Sequence, residues 1–163
     1  MPSTMKLVLS GALGVVVLFS LIDMIISAVL VSSYNSSSYP STDIKNVTRY
    51  TLFVSLWTLF LGGAYIFFIL ALGTSIIGSI ISVLAFLFIT WIFWIASAAS
   101  TESSLTGSFT CANPEFAHCH QLLAMEAFAW MNFIILFASF VLVAYLAFRS
   151  TRSGSGLTGP VAV

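Results

Sequence analysis

Four apolar runs, Leu7 to Val31, Tyr50 to Leu72, Ile76 to Ala99 and Leu122 to Phe148, dominate the sequence. Each reaches the roughly 20 residues that a helix needs to cross the hydrocarbon of a bilayer. In that solvent every backbone N–H and C=O must be satisfied inside its own segment, so runs of this length specify helices. The expectation is an all-α membrane protein, a four-transmembrane-helix bundle with both termini on the same side. Only 6% of the residues are charged and 60% are hydrophobic, which is not the composition of a water-soluble domain. Lys6 ahead of the first run suggests a secretory signal, but about 25 apolar residues exceed a signal core of roughly 7 to 15, and a retained span is expected.

The connections constrain packing. Gly73, Thr74 and Ser75 alone separate the second and third runs, so those spans should be antiparallel neighbours in a tight hairpin. The first connection, Ser32 to Arg49, has no hydrophobic period and reads as irregular. The third, Ser100 to Gln121, holds both cysteines and both histidines and reads as a small cap. Residues 149–163, rich in Gly and Ser, read as a flexible cytoplasmic tail after the 1–148 domain.

Orientation follows from the basic residues. Lys6, Arg149 and Arg152 fall on one side, Lys45 and Arg49 on the other, and the third connection adds only the acids Glu102 and Glu115. The positive-inside bias places the ends in the cytoplasm. Asn35 and Asn46 then open glycosylation patterns on the outer side, each only a few residues from a span. A net charge of zero without a basic cluster argues against a nucleic-acid partner.

Two acids lie within spans. A carboxylate in hydrocarbon costs roughly 3 kcal/mol, so Asp23 needs a partner or a proton. At 1.5 Å per residue, Asp23 lies about 12 Å and Glu126 about 9 Å below the same outer boundary. If the first and fourth spans are neighbours, the two carboxyls share a layer. Either they form a proton or ion relay, or each makes an interhelical hydrogen bond that fixes packing.

Cys111 and Cys119 read as a disulfide if their loop faces an oxidising compartment; free thiols and a metal site with His118 and His120 are the alternatives. No C-x-x-C pair is present, and no metal or cofactor is expected. Small residues recur at helix-packing spacing: Ser10 and Gly14, Gly62 and Gly63, and Ser75, Gly78, Ser79 and Ser82. They suit either packing within one chain or self-association. Trp91 and Trp94 are expected at the lipid surface or the membrane interface. No nucleophile, base and orienting group occur together, so no enzyme is expected.

Cys111, seven residues, Cys119 and the stretch Leu123-Ala124-Met125-Glu126-Ala127-Phe128-Ala129-Trp130 resemble the MARVEL family of four-helix membrane proteins, in particular its small fungal members. Arg49-Tyr50 with Phe53, the Trp91-Ile92-Phe93-Trp94-Ile95-Ala96 run and the Gly-rich tail before Pro160 are similar too. The third span lacks an acid that several relatives carry. The resemblance implies a non-enzymatic plasma-membrane protein that organises lateral lipid or protein domains or serves vesicle trafficking. Its partners would be membrane lipids, sphingolipid or sterol among them, and further copies of itself, and its outer loop would carry the Cys111–Cys119 disulfide. A small proton-coupled transporter or channel using Asp23 and Glu126 is the alternative.

Overall fold

The computed structural model describes residues 3–36, 42–71, 80–106 and 119–152, all of them helical. Helix α1 is Ser3–Ser36 and α2 is Thr42–Trp57; a π-helical turn, Thr58–Gly62, joins α2 to α3, Gly63–Ala71. Helices α4, Ile80–Thr106, and α5, Cys119–Arg152, complete the chain. Four helical stretches are long and apolar enough to cross a membrane: Leu7–Asn35, Thr42–Phe67, Ile81–Ser104 and Cys119–Phe148.

Around the bundle, α1 lies between α2 and α5, and α4 closes the ring between the same two helices. Every adjacent pair runs antiparallel. Thr51 meets Ser97 while Trp57 meets Thr90, so α4 recedes as α2 advances. Trp91 touches Phe133 while Phe88 touches Phe140, which sets α5 against α4 in the same way.

The buried positions explain how the helices pack. On α1 they are Leu9, Leu13, Val16, Ser20, Asp23, Ser27, Leu30 and Tyr34, alternating steps of four and three. Val83, Leu87, Thr90, Trp94, Ser97 and Thr101 repeat the spacing on α4, and Leu122, Met125, Ala129, Asn132, Leu136, Ser139 and Val143 repeat it on α5. This is the seam of knobs-into-holes packing. The outer face carries Leu18, Ile25, Phe60, Phe67, Ile134 and Phe148, all exposed and apolar as a lipid-facing surface requires.

The helices overrun the expected limits. The first connection is not irregular throughout: α1 continues to Ser36 and α2 begins at Thr42. Leu30 and Tyr34 of α1, Ile44 of α2, and Leu122 and Met125 of α5 form a buried cluster that holds these helix ends together. Tertiary packing thus carries helix beyond the apolar run where local pattern alone predicts a loop. The hairpin residues Gly73 to Ser75 and most of the third connection lie outside the described residues, as do Ser75, Gly78, Ser79 and Cys111.

Candidate functional site in the bundle interior

The centre of the bundle is polar. Ser20, Asp23 and Ser27 on α1, Thr51, Ser55 and Thr58 on the second span, Thr90 and Ser97 on α4, and Asn132 on α5 are all buried. Most of these hydroxyls spend their hydrogen locally. Ser20 donates to the Val16 carbonyl at 2.7 Å, Ser27 to Asp23 at 2.6 Å, Ser55 to Thr51 at 2.8 Å and Thr58 to Val54 at 2.8 Å. Bonding to the carbonyl four residues back is how a hydroxyl is accommodated where water is absent.

Thr51, Thr58, Thr90 and Ser97 of this interior also take part in contacts that cross between helices. The Thr51 and Ser97 hydroxyls are hydrogen-bonded at 2.7 Å. The Trp94 indole donates to Thr58 at 3.1 Å, and the Trp57 indole to Thr90 at 3.4 Å. Thr58 opens the π turn, whose other buried residue is Gly62. A Cβ on Gly62 would stand 3.1 Å from Val17 Cγ2, so this glycine lets α1 approach closely.

Both oxygens of Asp23 are buried without a hydrogen-bond partner among the described residues, and so are both side-chain polar atoms of Asn132. The contacts fix their depth. On α1 and the second span, Val17 against Gly62 and Leu30 clustered with Ile44 bracket Asp23, which puts it level with Thr51 and Ser55. Asn132 lies level with Trp94, because Trp91 stacks on Phe133 one turn away. Asp23 and Asn132 therefore occupy neighbouring polar layers of one interior.

Glu126 is not part of this interior. It is half-buried, off the inner stripe of α5; the Trp130 side chain hydrogen-bonds it, and Glu102 of α4 is the charge acting on it. The first and fourth spans are neighbours, with Phe19 and Phe128 rings 5.5 Å apart, yet the described interactions of the two acids do not join them. Neighbouring turns can share a depth while their side chains point to different partners.

The aromatics also depart from expectation. Trp94 is 0% exposed, so it does not face lipid. The polar interior supplies an acceptor for its N–H, which makes burial tolerable. Trp91 is half-buried, stacked on Phe133 and flanked by Phe88 and Phe137. The small residues divide. Gly62 packs within the chain, whereas a Cβ at Gly11, Gly14 or Gly63 would meet nothing within 4 Å. Ser10, half-buried, bonds the Leu7 carbonyl, and Ser82 is hydrogen-bonded to the Tyr65 hydroxyl.

At the far ends of α1 and α2, Asn35 and Asn46 are exposed on helices. Asn35 accepts a hydrogen bond from Arg49 at 3.2 Å. Cys119 is buried at the start of α5 beside exposed His120. Among the described residues no three His, Cys, Asp or Glu side chains gather to hold a metal ion.

A four-helix bundle with an apolar exterior and a hydroxyl-lined interior is the setting in which the comparison with known families decides. Residues 7–142 match the family model described as MARVEL, membrane-associating domain. The chain belongs to the MARVEL family. The match runs from the start of the first span to within α5, so it takes in the first three spans, most of the fourth and the buried polar residues named above. No curated protein and no solved structure matches the chain. Sequence reasoning identified Asp23 but passed over Asn132 and the buried hydroxyls. Their signal was present as Ser and Thr at steps of three and four inside the apolar runs.

Proposed function

We propose that this MARVEL protein organises the membrane around it by self-association and selective lipid contact, without catalysing a reaction. The observation that carries the reading is the open space over Gly11 and Gly14 on α1. Lipid and leucine are equally apolar, so helices associate in a bilayer through close backbone approach, and glycines left uncovered by their own bundle offer it. Family membership supports the same reading, since the domain is membrane-associating.

In this proposal the protein resides in the plasma membrane with both ends cytoplasmic, and its clusters serve lipid-domain formation or vesicle traffic. Sphingolipid or sterol is the lipid expected at the helix faces. A Cys111–Cys119 disulfide closes the connection between α4 and α5, which the lack of a free cysteine among the described residues supports.

The test is single-molecule tracking of tagged protein in living cells, before and after sphingolipid synthesis is blocked. Confined clusters that disperse on depletion, and that Gly14→Leu also disperses, are the expected result. Free diffusion in both conditions would refute the reading.

The unpartnered carboxyl of Asp23 favours a second reading, a small proton-coupled transporter or channel. Reconstituted protein that carries flux abolished by Asp23→Asn would establish it. In that reading Glu126 acts separately, through Trp130.

A further inference from the structure

The apolar exterior of α1 and of α5 is bounded at both ends, so its length can be read. From Leu7 to Val29 no exposed residue of α1 carries a polar side chain. From Leu123 to Phe148 on α5 the polar group among the exposed residues is the hydroxyl of Tyr145. Polar residues close both bands. Ser32 and Gln121 are the next exposed residues at one end, and Lys6 and Arg149 follow in the sequence at the other. The bands lie side by side, because Leu30 of α1 and Leu122 of α5 belong to one buried cluster. Glu126, one turn inside that end, is half-buried and hydrogen-bonded by Trp130.

At a rise of 1.5 Å per residue the α1 band is about 33 Å long and the α5 band about 38 Å. A tilt of about 20° reduces these to about 31 and 35 Å along the membrane normal. The hydrocarbon of an average bilayer is about 30 Å thick, that of the endoplasmic reticulum about 27 Å, and that of a sterol- and sphingolipid-rich membrane about 32–33 Å. The exterior of this bundle therefore fits the thick bilayer and overshoots the thin one.

A lone helix that is too long for its bilayer leans over. Here α1 and α5 are held in an antiparallel ring by a buried seam, and that packing sets their tilt. The mismatch falls on the lipid instead: neighbouring chains must stretch or be exchanged for longer ones. We infer that the bands on α1 and α5 gather lipids with long acyl chains, so that the protein selects its surroundings by hydrocarbon thickness. The inference deepens the proposal of selective lipid contact and rests on it, giving the property of the lipid that is read and the surface that reads it.

Quenching of tryptophan fluorescence tests the inference, with the purified full-length protein reconstituted in phosphatidylcholine vesicles. The probes are brominated phosphatidylcholines that share one headgroup and differ in chain length, spanning thicknesses from below about 27 Å to above about 33 Å. Half-buried Trp57, Trp91 and Trp130 report contact with the quencher. Relative affinity is expected to rise about twofold or more from the thinnest bilayer to a maximum above about 30 Å. A variant with Leu7→Lys, Val8→Lys, Tyr145→Lys and Phe148→Lys changes exposed positions alone and shortens both bands to about 27 Å. Its maximum should move to shorter chains. A profile that is flat or peaks in the thinnest bilayer would overturn the inference, and so would a maximum that the variant leaves in place. Failure here leaves the cluster measurement standing, because Gly14→Leu alters neither end of a band. A maximum in thick bilayers alongside free diffusion in cells would uphold thickness selection and remove self-association.

Discussion

The indole of Trp94 donates to the hydroxyl of Thr58 at 3.1 Å, joining α4 to the first residue of the π turn. Thr58 has already given its hydrogen to the Val54 carbonyl, so its oxygen is free to accept. Replacing Thr58 by Val keeps the shape and strands a fully buried N–H. A loss of about 1–3 kcal/mol is expected, measured by reversible unfolding in mixed micelles. A change below a few tenths would mean that Trp94 finds another acceptor.

The hydroxyl pair Thr51 and Ser97 gives a smaller effect. A double-mutant cycle with Thr51→Val and Ser97→Ala should yield a coupling of about 0.6 kcal/mol, as for other interhelical hydrogen bonds in lipid, where the separated helices also find partners.

Asp23 behaves in the opposite sense. It has no hydrogen-bond partner among the described residues, so Asp23→Asn removes a costly group and breaks no described bond. Unfolding should become harder by on the order of 1 kcal/mol, within the roughly 3 kcal/mol that a central acid costs on insertion. Clear destabilisation would reveal a contact that the wild-type carboxyl makes and an amide cannot.

The two classes of glycine separate folding from association. Gly62→Val drives a branched side chain into Val17 and should cost about 1–3 kcal/mol, read from the same unfolding experiment. Gly14→Leu meets open space, so the fold should keep its stability while crosslinked dimers decline. Equal stability losses for the two variants would contradict this division.

Much of the fold is legible in the apolar runs, because a bilayer leaves the backbone few options and lengths near 20 residues announce themselves. The sides that the helices turn inward are harder to read. In a soluble bundle the apolar stripe marks the core, whereas here Ile25 faces outward while Ser20, Asp23 and Ser27 face inward. Hydrophobicity alone therefore does not tell the inward face from the outward one, and the interfacial preference of tryptophan does not reveal that Trp94 is buried. Small polar residues at heptad spacing carry the missing information. The helical ends of the first connection were hidden for another reason: Tyr34 and Ile44 depend on Leu122 and Met125, far along the chain.

The hydroxyls around Asp23 have one more consequence. Proton hopping requires each group along a wire to accept a hydrogen on one side and release its own on the other. Ser20, Ser27, Ser55 and Thr58 have each tied that hydrogen to a carbonyl of their own helix. For any of them to pass a charge onward, it must first let go of its backbone. At rest, these four side chains bring oxygens to the polar centre of the bundle but no hydrogen that is free to move, so a proton passing them has to be met by a change in the helices themselves.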